Sequence, residues 1–142
     1  MNTDLVWRGD YSIETAAGAN VIWSLFCDVP GWKSWNAGIA DIEIDGPFAT
    51  DTWFTMTPPG EDPLRSRLVE VQENVCFVDE TRVGDLAITV AHRIEPLGTG
   101  RTRVTYAAEA RGPQAAQIGP AVASDFPQVL AALVERAEGR SA

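Results

Sequence analysis

Between residues 39 and 111 apolar and polar side chains alternate with a period of two. Turn residues divide the run into six segments, 39–45, 51–57, 63–72, 75–83, 86–95 and 101–111. A period of two is what a half-buried β-strand requires, and most of the separators (GP, PPG, EN, GD and GTG) are hairpin turn signals. Residues 5–15 alternate in the same way, with Tyr11 and Ile13 on one face and Ser12 and Glu14 on the other. After the AAGAN break, residues 19–28 put Ile22, Leu25 and Phe26 at helical spacing with Trp23 at the edge of the stripe. Val29-Pro30-Gly31 stops that helix, and GWKSWN reads as a second, very short helix or turn. Residues 117–138 predict a long helix with Val122, Phe126, Val129, Leu130, Leu133 and Ala137 on one face. Pro127 either kinks it or restarts it with Ser124 or Asp125 as cap, and Gly139 is expected to end it.

The order is therefore strand, two short helices, six strands, long helix. A meander with one apolar face needs a cover, and the C-terminal helix is the element long enough to supply it. The expectation is a single α+β domain over 1–142, with a curved seven-stranded antiparallel sheet around that helix and an apolar pocket between them. Uneven alternation along several strands fits a sheet that bends around a cavity.

Turn lengths give a face map. With Gly84-Asp85 as a two-residue turn, Val83 pairs with Leu86, and Phe77, Asp79 and Thr81 share a face with Ile88, Val90 and His92. With Gly98-Thr99-Gly100 closing the next hairpin, Ile94 pairs with Val104, His92 with Tyr106, Val90 with Ala108, and Glu95 with Arg103 on the outer face. The only histidine, His92, thus lies on the apolar face beside Phe77 and Tyr106, with Asp79 diagonally across and within side-chain reach. A carboxylate on one ring nitrogen would prepare a general base, so His92 as base, Asp79 as its orienting group and Tyr106 as proton donor form the candidate catalytic set. The competing reading makes His92 a hydrogen-bonded core residue. The preceding turn stays open: a two-residue Glu73-Asn74 turn sends Arg67 outward against Glu80, and a three-residue turn brings Arg65 and Arg67 inside with Asp79. Avoiding a buried charge favours the first; the apolar Val69 and Val71 favour the second.

Five tryptophans sharpen the pocket. Trp23 is expected to pack the first helix on the sheet, and Trp7 and Trp53 to fill the core or line the cavity. Trp32 and Trp35 either plug one end of the core or face a ligand. The expected ligand-lining set is Trp32, Trp35, Trp53, Phe77, Val90, Phe126 and Leu130.

A formal net charge of −9 makes nucleic acid and anionic membranes poor partners. One histidine and two cysteines, Cys27 and Cys76, supply no zinc ligand set, and the cysteines read as buried free thiols. MNTDLVWRGD does not look like a signal peptide, and no apolar run reaches the roughly 18 residues of a membrane span. A cytoplasmic monomer or homodimer with no metal or cofactor is the resulting expectation.

Five stretches, VIWSLFCDVPGWKSWN, GIADIEIDGPF, VCFVDETRV, AHRIEPLGTGRTRVTY and SDFPQVLAALVER, resemble the START-like helix-grip (SRPBCC) superfamily in its polyketide cyclase/dehydrase branch. The similarity spans about 8–138. It implies a seven-stranded antiparallel sheet gripping a long C-terminal helix, with two small helices between the first two strands. It also implies a hydrophobic or aromatic small molecule in the cavity. Some members of that branch cyclise or dehydrate polyketide intermediates with pocket Arg, Tyr, Ser, His or Asp residues, and many are carriers. Residues of usable type here are His92, Asp79 and Tyr106, with Arg65, Arg67 and Arg82. Three functions follow as expectations: a cofactor-independent cyclase or dehydratase, a non-catalytic carrier of an apolar ligand, or an interaction module like the heat-shock ATPase activators, which requires a filled core.

Overall fold

The structure, a computed structural model, describes residues 5–98 and 100–141. Its elements are β1 (Val6–Thr15), α1 (Ala19–Cys27), a 3-10 segment (Val29–Ser34), β2 (Asp41–Ile44), β3 (Trp53–Thr57), β4 (Leu64–Gln72), β5 (Cys76–Val83), β6 (Leu86–Gly98), β7 (Arg101–Arg111), α2 (Ala115–Ala123) and α3 (Phe126–Ser141). The seven strands form one antiparallel sheet in the order β1-β7-β6-β5-β4-β3-β2. β1 and β2 are opposite edges, so α1 and the 3-10 segment carry the chain across the concave side before the meander returns. The first four residues of the MNTDLVWRGD stretch, on which the expectation about a signal peptide partly rests, and the Thr99 tip of the β6–β7 hairpin lie outside the described residues.

Register follows turn length at β5–β6. At β6–β7 Gly98 lies opposite Arg101, so the expected three-residue turn is not what closes the hairpin, and an irregularity between Pro96 and Gly98 restores the expected pairing beyond it. Val83 pairs with Leu86, Phe77 with His92, Asp79 with Val90 and Thr81 with Ile88. His92 pairs with Tyr106 and Ile94 with Val104, while Arg103 and Glu95 form the outer ion pair at 3.1 Å. The β4–β5 hairpin reconciles the two competing readings. Its turn has three residues, with Gln72 opposite Cys76 and Val71 opposite Phe77, and Asn74 takes a positive φ of 63°. A bulge between Leu68 and Glu70 then shifts the register, so that Arg67 lies opposite Glu80 on the outer face. Val71 is thereby turned in and Arg67 out. The guanidinium of Arg67 reaches Asp51 at 2.7 Å rather than Glu80, and Arg65 pairs with Asp45 at 2.9 Å.

The C-terminal region is two helices, not one. α3 restarts at Phe126, with Pro127 in the first turn, where its missing N–H costs nothing, and the Asp125 carbonyl accepting from the Val129 N–H at 2.9 Å. Gly139 does not terminate α3, because its backbone stays out of the left-handed region that such an end uses. Phe126, Val129, Leu130, Leu133 and Ala137 are buried against the sheet and α1. The Thr15 hydroxyl, donating to Glu138 at 2.7 Å, ties the end of β1 to α3.

Phe26 is fully buried and its ring meets those of Trp23, Trp35, Phe77, His92 and Tyr106. Trp23 packs α1 on the core as expected, edge-on to Phe48. Trp53, expected in the core or pocket, is on the convex face under Arg65, 5.4 Å from its guanidinium carbon. The pleat admits one of two adjacent aromatic residues to the interior, and Phe54 is the one inside. Cys27 is exposed and Cys76 buried, both free.

Trp7 docks α2 on the sheet edge. Gly119 has no Cβ, and one built there would run into the Trp7 indole. Gly119→Ala is therefore expected to lower stability by about 1–3 kcal/mol through overpacking, read as a fall in the urea midpoint at unchanged slope.

Candidate active site

Beneath α3 the curved sheet leaves a cavity of about 250 Å³. The sheet supplies Phe54, Ser66, Phe77, Asp79, Val90, His92 and Tyr106, the segment after α1 supplies Trp32, Trp35 and Asn36, and the α2–α3 junction supplies Val122, Asp125 and Phe126. Of the expected lining, Trp32, Trp35, Phe77, Val90 and Phe126 are present; Trp53 is outside, and Leu130 is packed fully in the core without reaching the void. Trp32 and Trp35 are buried plugs that also face the cavity: Trp32 stacks on Phe77 at 5.5 Å and its indole N–H donates to the Phe26 carbonyl at 2.9 Å.

His92, Asp79 and Tyr106 all reach this cavity, but not as the expected relay. The imidazole stacks on Phe77 at 3.9 Å and meets Tyr106 edge-on at 4.5 Å, and Nδ1 lies 3.2 Å from the Phe77 carbonyl. A carbonyl accepts only, so Nδ1 carries the proton. The backbone, rather than Asp79, orients the ring. Burial lowers the His92 pKa to about 3 despite its backbone hydrogen bonds, so the imidazole is neutral across physiological pH. The ring resonances of this sole histidine are expected to stay flat between pH 5 and 8; an NMR titration with a midpoint near 6.5 would contradict that.

Asp79 behaves in the opposite sense. Among the described residues its carboxyl has no hydrogen bond or ion pair, and its open side faces the cavity. Burial alone pushes its pKa up to about 7. Tyr106, 4% exposed, also has no hydrogen-bond partner among the described residues, and burial together with the nearby Asp79 and Asp125 carboxyls raises its pKa, keeping it a phenol. Asp125, not foreseen as a site residue, stands at the cavity rim across from Gly38, and partial burial raises its pKa as well. Its signal in the sequence was the Pro127 break, which ends the helical ladder beside the cavity. Ser66 and Thr81 share a 2.6 Å hydrogen bond on the same wall. Arg65, Arg67 and Arg82 are not there; they pair with Asp45, Asp51 and Glu80 outside. Among the described residues no cluster of three or more metal-ligating side chains occurs, and no helix is long and apolar enough to cross a membrane.

Comparison with known proteins places this geometry. An aromatase/cyclase from Streptomyces sp. R1128 superposes with a TM-score of 0.82 at 17% identity, over 96% of each chain. A norcoclaurine synthase from Thalictrum flavum, in complex with a transition-state analogue, gives 0.78 at 15% identity over 96% of this chain and 97% of its own. A START superfamily protein from Mycobacterium smegmatis gives 0.75 at 16% identity over 93% and 97%. At these identities the likeness establishes the helix-grip fold. No curated protein matches the chain in sequence. The family described as polyketide cyclase / dehydrase and lipid transport matches residues 6–138, and with that span covered the chain belongs to the polyketide cyclase / dehydrase and lipid transport family.

Proposed function

We propose that the protein binds a compact aromatic or apolar carbonyl compound in this cavity and moves a proton on it, as a small cyclase or dehydratase whose acid and base are side chains. The observation that carries the reading is a pair of polar groups without a partner among the described residues, the Asp79 carboxyl and the Tyr106 hydroxyl, set in an otherwise largely apolar, aromatic wall. Ligand sites have that composition, a greasy surround with a few convergent polar groups. At close-packed density about 250 Å³ accommodates roughly a dozen non-hydrogen atoms, which favours one or two rings over a long chain. An interaction module would have had a filled core, so the void supports the ligand readings.

The roles differ from the relay read in the sequence. An acid–base group works best with a pKa near the operating pH, and Asp79 at about 7 meets that condition where His92 at about 3 does not. Ionised Asp79 takes the proton from the carbon beside a carbonyl, the resulting enolate oxygen accepts a hydrogen bond from the Tyr106 hydroxyl, and protonated Asp79 returns the proton to a departing hydroxyl, which leaves as water. His92 holds Tyr106 from the side as a neutral ring. Solved neighbours named aromatase/cyclase and norcoclaurine synthase lend support by fold analogy alone.

The test uses 2-acetylnaphthalene in D2O. Wild-type protein is expected to accelerate exchange of its methyl protons, followed by NMR, and Asp79→Asn to lose that acceleration. Saturable binding without exchange in either protein would replace the enzyme by a carrier.

A further inference from the structure

We infer that the ligand of this cavity is an organic cation, an aromatic or apolar body bearing a protonated amine, with the amine held at the rim by Asp125. The inference rests on the cavity being the ligand site, and adds the charge of what it takes. Every ionisable group of the wall that bears charge near neutral pH is a carboxyl: Asp79 within and Asp125 at the rim, with His92 neutral and no lysine or arginine among the lining residues. Arg65, Arg67 and Arg82 of the sheet are held outside by carboxylates of their own. Lys33 shares a neighbouring surface groove with Asp125 but makes no ion pair with it among the described residues. An anionic ligand would thus enter beside uncompensated negative charge, whereas a cationic one meets charge complementary to its own.

The rest of the wall suits a cation as well. Trp32, Trp35, Phe54, Phe77 and Phe126 line the cavity, and aromatic faces attract a desolvated ammonium through their quadrupoles. The Tyr106 hydroxyl, on a residue that lines the cavity and lacking a hydrogen-bond partner among the described residues, lies within the field of both carboxyls and offers an oxygen lone pair to an N–H donor. Asp125 is the carboxyl open to solvent, so it meets the charge first and holds it at the entrance, leaving Asp79 opposite the body of the ligand.

Three probes of one skeleton and about the right size separate the possibilities: 2-naphthylmethylamine, 2-naphthylmethanol and 2-naphthoate, each titrated calorimetrically into the full chain at pH 7.5. The amine is expected to bind at least tenfold more tightly than the alcohol, and the carboxylate most weakly. Asp125→Asn should cut the preference for amine over alcohol to under threefold, and Asp125→Glu should keep it. Alcohol or carboxylate binding as tightly as the amine overturns the cation assignment while leaving the cavity as the ligand site. A preference undiminished in Asp125→Asn overturns the role of Asp125. Failure of all three probes to bind removes the ligand site itself, and the inference with it.

Discussion

Asp79→Asn is expected to lower catalysed proton exchange by about 10²–10⁴-fold, the usual contribution of a positioned acid–base group, and at the same time to make the fold more stable. The two effects share one cause. In the folded chain burial holds the Asp79 carboxyl at about 7, whereas in the unfolded chain it titrates near the ordinary value of about 3.9. The folded state therefore keeps a proton that the unfolded state has already lost. Stability is full below about pH 4 and is lost as pH rises towards 7, by up to about 4 kcal/mol. An asparagine has nothing to ionise. Relative to wild type the variant gains stability as pH rises, reaching the full difference above pH 7, and gains nothing near pH 4. Urea titrations at pH 4 and 8 read the gain; exchange kinetics read the loss. A variant that loses stability at pH 8 would show that Asp79 makes favourable contacts the account denies it.

Phe26→Ala is expected to be the most damaging truncation in the core, at about 3–5 kcal/mol. Its ring is completely buried and meets five other rings drawn from α1, the segment after it, β5, β6 and β7. No single neighbour can collapse into the space without leaving another ring, so the cavity term adds to the lost transfer energy. The loss is read as a lower urea midpoint with the slope retained. A loss under about 1 kcal/mol would mean that α1 is held by other contacts.

Strand faces were legible wherever a turn has an unambiguous length. Gly84-Asp85 fixes the β5–β6 pairing, and with it Asp79 and His92 on one face, while the β6–β7 hairpin adds Tyr106. The β4–β5 hairpin was legible only as a conflict: Val71 belongs inside and Arg67 outside, which one uninterrupted register cannot provide. The bulge at Val69 satisfies both, so the contradiction was itself the trace of an irregular strand. Trp53 and Phe54 are adjacent aromatics, and alternation says that one faces in without saying which. The partner of His92 was out of reach for another reason. Its Nδ1 bonds to a backbone carbonyl, which every residue possesses and no side-chain pattern reveals. Asp125 was visible as a helix cap but not as part of a cavity, because that role depends on where the break between α2 and α3 falls over the sheet.

Asp79 sits within an aromatic cavity with no hydrogen-bond or ion-pair partner among the described residues, and it changes charge near neutrality. The direct measurement is a pH titration of the side-chain carboxyl carbon of Asp79 by 13C NMR, with its resonance assigned by its disappearance in Asp79→Asn. A midpoint near pH 7 is the predicted result; a midpoint near 4, the value of a solvated or ion-paired aspartate, would contradict the account.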